Sequence, residues 1–463
     1  MEGVDLHVVM FPWFAFGHIS PFIQLADTLS SRGVRVSFLS APANIPRITS
    51  LSSSSIDIIP VDIPPIEGLP PTIQSTSDMT FDMAELLKLA VDDMKPQIHT
   101  LLTRLKPHIV FHDFTHHWMS SIASPLGIKT LYFCVFSAHA GAYLMVPSRR
   151  DASKPSDLQI APPDFLGTSS LVQSLDPYEA AHIFYVFKSF YGGPSVYERA
   201  VSCMRDCDAI VYKSSSEMEG PYIDYLSAQY GKPVLLTGPL VQDPSPTGEL
   251  DPGWKEWLDG FAPGSVVFCS FGSETFLDGT LIEELLIGVE KTGLPFLVVL
   301  NFPKEGGGDD DDDGETKLKR AIPEGFEERV KGRGRVRTGW VPQKRILGHA
   351  SVGCYVNHAG LSSVMEGLIN GCRLVLLPMK GDQFLNARLC EGGIGVGVAV
   401  RRGAEDGRFD REGVCEAVMK AVAAEEGVCD RWRGMLSDGE LQGWYVSELI
   451  RKMRALVDME GDG

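Results

Sequence analysis

The sequence lacks a basic excess. Against 42 lysines and arginines stand 60 aspartates and glutamates, a net charge of −18. A phosphate-backbone binder needs the opposite sign, so nucleic acid is not an expected partner. Long hydrophobic runs are also missing. No apolar stretch approaches the roughly 20 residues that span a bilayer, and membrane insertion is not expected. The opening stretch MEGVDLHVVMFPW has no basic segment followed by a long apolar core, which argues against a secretory signal. Cysteine pairs are scarce: of nine cysteines only Cys203 and Cys207 lie close, and no second pair completes a zinc set. They read as reduced thiols in a cytoplasmic protein. GSETFLDG and GGIGVG contain glycine but lack the strand–GxGxxG–helix context, which leaves an NAD-dependent oxidoreductase poorly supported. No short-period repeat occurs.

What is present is a recurring strand–helix alternation. With 463 residues, two domains or one large composite unit is the natural prior. LHVVMF is a short apolar run suited to a buried parallel strand, and PWFAFGHIS is a loop. Pro21 marks the expected helix start, with Ser20 as its cap, and Gly33 the stop before VRVSFLS. That is a βαβ unit, and a parallel sheet follows from it. HIVFHDF, TLYFCVFS, DAIVYKS and PVLLTGPL continue the series. VQDPSPTGELDPG then reads as a linker. A second series runs through SVVFCSFGS, PFLVVL, RVRTGW, VGCYVN, RLVLLP and VGVAV. The expected organisation is a first α/β domain over 1–240, a linker over 241–253 and a second α/β domain over 254–440. A C-terminal helical segment over 441–463 is expected to pack back on the first domain. Between Met145 and Pro177 periodicity is weak, and a mobile surface region is expected. The acidic run Asp309 to Asp313 reads as a solvated loop rather than a metal site.

In open parallel sheets, ligands bind beyond the carboxyl ends of the strands. Four such loops carry polar residues in the second half. NHAGLSSVMEG follows VGCYVN and opens a helix, whose unpaired N–H groups and dipole suit a diphosphate. Gly360 admits a ligand to the backbone and His358 can donate to it. The competing reading is a capping box, Ser363 to Glu366, that merely closes the helix start. Trp340 ends RVRTGW, either as a core residue or as a platform for a base. SFGS ends at Ser273, and KGDQ places Asp382 beside Gln383, a carboxylate and an amide that can read several hydroxyls. Together they point to a base, a diphosphate and a polyol. In the first half His18 lies between strand and helix, and Asp113 ends another strand in VFHDFTHHW. His112, Asp113, His116 and His117 also raise a metal site. Adjacent strand residues point to opposite faces, however, which disfavours a shared ion.

The stretch WVPQKRILGHASVGCYVNHAGLSSVMEGLINGCRLVLLPMKGDQ, Trp340 to Gln383, resembles the signature box of plant secondary-product UDP-glycosyltransferases at its usual length of 44 residues. SVVFCSFGS, IPEGFEERV and GHISP are similar to family segments at their expected places. The resemblance implies two facing Rossmann-like domains, the GT-B arrangement, with the donor in the C-terminal half. It implies that Trp340 stacks on uracil, with Val341 and Gln343 beside the nucleotide, and that Glu366 accepts from the ribose hydroxyls. Ser273, His358, Gly360, Ser362 and Ser363 would surround the diphosphate. Asp382 and Gln383 would hold sugar hydroxyls. His18 would be the general base, oriented by Asp113. No metal or resident cofactor is implied, the UDP-sugar being a co-substrate. The family's usual HCGWNS is HAGLSS here, so Leu361 stands for a tryptophan and Ser362 for an asparagine.

Trp13, Phe14 and Phe16 in FPWFAFGHISPF suggest an aromatic wall for a flat acceptor, or else ordinary loop packing. This segment, FSAHAGAY with Ser137, which is expected to meet the acceptor, and HAGLSSVMEG look most like the branch-forming subgroup, which adds a sugar to a sugar already on a flavonoid, anthocyanin or saponin. The expected acceptor is a flavonoid or anthocyanin 3-O-glycoside. A saponin glycoside, an aglycone, and a UDP-sugar-binding protein without transfer are the alternatives. A monomer is expected.

Overall fold

The computed structural model describes residues 5–52, 56–76, 80–165, 170–240, 250–272, 275–302, 314–424 and 427–458. Most of the expected linker, 241–249, and the acidic run lie outside these residues. Two parallel sheets organise the rest. The first contains β1 (His7–Phe11), β2 (Arg35–Ser40), β3 (Asp57–Pro60), β4 (Ile109–His112), β5 (Lys129–Cys134), β6 (Ala209–Tyr212) and β7 (Val234–Leu236), in the order β3-β2-β1-β4-β5-β6-β7. The second contains β8 (Val266–Ser270), β9 (Phe296–Leu300), β10 (Gly334–Thr338), β11 (Val352–Asn357), β12 (Arg373–Leu376) and β13 (Val398–Ala399), in the order β10-β9-β8-β11-β12-β13.

The strands read as unbroken apolar runs because helices cover both faces. In β1 all five residues are buried. Val9 and Phe11 join the core on one face, while Val8 and Met10 join the core on the other. β8 repeats the pattern, with Val267 and Cys269 opposite Val266 and Phe268. Each strand order reverses once, between β1 and β4 in the first sheet and between β8 and β11 in the second. Those reversals open the crevices where ligands bind. The register aligns Phe11 with His112 and Asn357 with Ser270, so the following loops leave the sheets side by side.

Two expectations change. The first long helix is Phe16–Ser30, so Pro21 lies inside it rather than at its start. The ring forfeits one bond, to the Gly17 carbonyl, and the rest of the helix carries that loss. His18 therefore sits in the first helical turn. The described residues between Met145 and Pro177 are packed, with Val146, Leu158, Val172 and Leu175 buried. The buried Arg149 donates to the carbonyls of Tyr143 (3.0 Å), Asp157 (2.5 Å) and Ile160 (2.6 Å). One guanidinium thus satisfies an irregular backbone that has no period to read.

At the far end, the helix Gly439–Asp458 sends Val446, Leu449, Ile450 and Met453 into the core of the first sheet. Its Tyr445 hydroxyl accepts the Ser216 N–H at 2.8 Å and donates to Glu217 at 2.7 Å.

Candidate active site

Asp113 directly follows β4 and caps the short turn Phe114–His116, while His18 projects from the helix that follows β1. Nδ1 of His18 lies 2.8 Å from Oδ2 of Asp113. The carboxylate is 1% exposed. It also accepts the Trp13 N–H at 3.1 Å and the Phe114 N–H at 2.7 Å. Burial alone raises the Asp113 carboxyl. The His18 charge, its hydrogen bond and the two backbone donors outweigh burial and hold it below the ordinary carboxylate range. With Nδ1 committed to Asp113, Nε2 is the nitrogen left to take a proton. Phe114 and Phe136 flank the imidazole, with ring centroids 5.6 and 5.2 Å away.

The neighbouring histidines do not converge on a shared ligand. Nδ1 of His116 accepts the Asp113 N–H at 3.3 Å, and its ring packs 3.9 Å from Phe11. Nδ1 of His112 lies 3.3 Å from the Asp113 carbonyl oxygen. Burial pushes His112 down to about 4 and His116 to about 3, so both are neutral at physiological pH. His117 turns to Arg199 and Asp92 instead.

Across the cleft, β11 ends at Asn357 and the helix Leu361–Ile369 begins with Gly360 as its cap. No side chain caps that helix. Ser363 lies inside the first turn, so the capping box with Glu366 does not form. The amides of residues 361–363 are left pointing out of the helix start, the geometry that holds an anion. His358 stands beside them. Its Nδ1 is shielded from solvent without a protein partner, and burial, then Lys380, pushes the ring down to about 4. A neutral imidazole can donate one hydrogen bond to a phosphate oxygen. Two glycines make room for it. A Cβ on Gly360 would fall 2.5 Å from His358 Nε2, and one on Gly272 would fall 3.3 Å from Cε1.

Glu366 is oriented by Gln343, whose Nε2 donates to it at 2.8 Å while Oε1 accepts from the Ser270 hydroxyl at 2.9 Å. Lys344 Nζ lies 4.0 Å from the same carboxylate. Trp340 is 87% exposed, unusual for so large an apolar surface. It faces a cavity of about 1050 Å³ that it shares with Gln343, Ser270 and Gly272 of its own half and Phe16 and Arg47 of the other. Oε1 of Gln383 accepts the N–H groups of Met379 (2.9 Å) and Lys380 (3.0 Å), which leaves the Nε2 hydrogens for a ligand. Partial burial raises the adjacent Asp382 carboxyl, and the charge of His18 is among the effects that lower it. The imidazole is therefore within electrostatic reach of the KGDQ loop.

Two of the expected aromatic residues are placed otherwise. Trp13 and Phe14 are buried in the first core, and of the three aromatic residues only Phe16 lines this cavity. Val341 packs against the core of the second half and also lines this cavity, Leu361 is buried in that core, and Ser362 is exposed at the helix start. Ser137 is fully buried between the halves. Ser273 lies outside the described residues. Three further residues near the cleft are not evident from the sequence. Arg47 lies over Phe16, 3.5 Å from the ring centroid. Lys213, at the end of β6 and 4% exposed, donates to Gln24 at 2.9 Å. Burial lowers it to about 8, while the Glu366 charge across the cleft raises it. Asn386 joins Ser137 to the KGDQ loop. Position after a strand was the available signal for Lys213, whereas Arg47 and Asn386 had none.

The family profile for UDP-glucoronosyl and UDP-glucosyl transferases matches residues 329–420. Anthocyanidin-3-O-glucoside rhamnosyltransferase of Petunia hybrida is 49% identical, over 98% of this chain and 97% of its own length. The chain belongs to the UDP-glycosyltransferase family. Anthocyanidin 3-O-glucoside 2''-O-glucosyltransferase of Ipomoea nil is a further relative, 37% identical over 98% of this chain and 99% of its own. Among solved structures, Glycyrrhiza uralensis UGT73P12 complexed with glycyrrhetinic acid 3-O-monoglucuronide aligns with a TM-score of 0.77. It is 22% identical, covers 99% of this chain and 97% of that chain, and supports the fold alone. The protein is thus a UDP-dependent glycosyltransferase with the GT-B fold.

Proposed function

We propose that this glycosyltransferase moves a sugar from a UDP-sugar onto a sugar hydroxyl of an anthocyanidin or flavonoid 3-O-glucoside. The observation that carries the reading is full-length similarity to enzymes whose names specify a 3-O-glucoside acceptor, joined to a histidine–carboxylate pair across the cleft from a helix start that no side chain caps. Trp340 supports uracil by stacking, and Glu366 accepts from the ribose. His358, the amides of residues 361–363 and the residues around Gly360, Ser362 and Ser273 receive the diphosphate. Asp382 and Gln383 read the sugar. Phe16 supplies an aromatic surface in the cleft.

The chemistry is a single displacement. Nε2 of His18 removes the acceptor hydroxyl proton, and Asp113 stabilises the imidazolium that forms. The oxygen attacks the anomeric carbon opposite UDP, so the configuration inverts. UDP departs toward the 358–363 turn, where fixed dipoles meet its growing charge. The residues that carry these steps require no resident cofactor, and one chain supplies both walls of the cleft. No described helix is long and apolar enough to cross a membrane. All nine cysteines are unpaired, which supports a reducing, cytoplasmic setting.

The relatives' names specify different transferred sugars, so the test is a donor-by-acceptor matrix. UDP-glucose, UDP-rhamnose and UDP-xylose are each mixed with an anthocyanidin 3-O-glucoside, its aglycone and a saponin glycoside. UDP release is measured and product linkage is read by NMR. The expected product carries its second sugar on the first. Transfer only to the aglycone, or only to the saponin, contradicts the reading.

A further inference from the structure

Asn386 sits where three structural demands meet. It is fully buried on the helix Gln383–Arg388, one turn after Asp382. One Nδ2 hydrogen goes to Asp382 Oδ2 at 2.8 Å and the other to the Ala359 carbonyl at 3.0 Å. Oδ1 accepts from the Ser137 hydroxyl, 2.6 Å away on the opposite half. Ser137 has one proton to give. Its oxygen already accepts the Ala140 N–H at 3.1 Å, so the hydroxyl is aimed from both ends.

Two of these contacts touch the donor half and the third reaches the acceptor half. Asp382 is the sugar-reading carboxylate, and the Asn386 bond favours its ionised form against the effect of burial. Ala359 holds a left-handed φ of 61°, a conformation costly for a residue with a Cβ. It lies between His358 and Gly360. Asn357 Oδ1 pins its N–H at 2.8 Å, and Asn386 pins its carbonyl. Ser137 brings in the acceptor half, just beyond β5. Two residues past Asn386, Arg388 donates to Glu179 of that half at 3.0 Å, so this short helix is docked against both halves.

We infer that Asn386, held by Ser137, is a positioning residue that sets the sugar-reading carboxylate and the phosphate turn in register with the acceptor half. The inference rests on the glycosyl transfer proposed above. UDP alone does not use Asp382, whereas the sugar does. Loss of the strut should therefore spare nucleotide binding and damage the approach of acceptor to sugar, where misplacement by about 1 Å can cost up to about a hundredfold in rate.

The test compares Ser137→Ala, Ser137→Thr, Asn386→Ala and the double alanine variant. Four quantities are read: UDP affinity by calorimetry, kcat and KM for the UDP-sugar, the share of released UDP not matched by glycosylated product, and the melting temperature. Ser137→Ala is expected to keep UDP affinity within about twofold, lower kcat about tenfold or more and raise unmatched UDP release. Ser137→Thr, which keeps the hydroxyl, should recover most of kcat. Asn386→Ala should also raise KM for the UDP-sugar, and the double variant should transfer no worse than Asn386→Ala. Wild-type kcat and coupling in Ser137→Ala overturn the inference. So does a parallel fall in UDP affinity, kcat and melting temperature, which marks a merely structural contact. A wild-type protein that binds UDP-sugar no differently from UDP and transfers nothing overturns the underlying reading, and the inference with it.

Discussion

Replacing Asp113 by asparagine should remove most of the transfer rate while leaving the nucleotide site intact. The carboxylate accepts three hydrogen bonds, from His18, Trp13 and Phe114, at 2.8, 3.1 and 2.7 Å. Asparagine has one oxygen, so its amide hydrogens must face one of those donors or His18 Nδ1. If they face Nδ1, the imidazole proton moves to Nε2 and the base is lost. If they face a backbone N–H, a buried donor is unpaired at a cost of about 1–3 kcal/mol. Loss of a tautomer-setting carboxylate lowers kcat by about 10³–10⁴-fold, about 4–5 kcal/mol of barrier. The variant should also lose a pH dependence of stability. Asp113 titrates below its unfolded value. Its contribution is thus full above the ordinary carboxylate range and disappears as pH falls through the depressed folded value. The assay is steady-state product formation with a 3-O-glucoside acceptor, alongside UDP calorimetry and acid unfolding. A variant that keeps more than about a tenth of kcat, with UDP bound normally, refutes the role given to the carboxylate.

Trp340→Ala should weaken UDP by about 1–3 kcal/mol, about fivefold to 150-fold in Kd, without lowering the melting temperature, because the ring is 87% exposed. Unchanged calorimetry removes the stacking role. Gly360→Ala should also weaken UDP, since the new Cβ meets His358 Nε2 at 2.5 Å, while φ −64° and ψ 134° suit alanine and spare the fold. Full UDP affinity in that variant shows that the imidazole position does not matter. Lys213→Met probes the buried amine, held at about 8 against 10.5 for a free lysine. Between those values the unfolded chain binds the extra proton, so wild-type stability rises with pH across that window by about 3 kcal/mol from this group. Urea unfolding at pH 7.5 and 10 should show the methionine variant without that rise, and parallel behaviour of the two proteins contradicts it.

Much of this fold is legible in the sequence because parallel strands buried on both faces must be apolar runs. HVVMF and VGCYVN announce themselves for that reason. His18, Asp113 and His358 are legible because each follows such a run, where ligands bind. Pro21 misleads because proline favours a helix start yet is tolerated further in when one lost bond is affordable to the helix. Trp13 and Phe14 are aromatic in either environment, and only folding sends them to the core. Ser137, Lys213 and Asn386 take their meaning from partners across the cleft. The Ser137–Asn386 contact joins positions 249 residues apart, and no local pattern encodes such a meeting.

In the proposed mechanism the His18 imidazole deprotonates the acceptor in front of a sugar held by its uridine tail. His18→Ala, studied by UDP calorimetry and product formation on the same preparation, tests it most directly. The expected result is UDP affinity within about twofold of wild type and a kcat lowered by about 10²–10⁴-fold. Transfer at more than about a tenth of the wild-type rate, with UDP still bound, contradicts it.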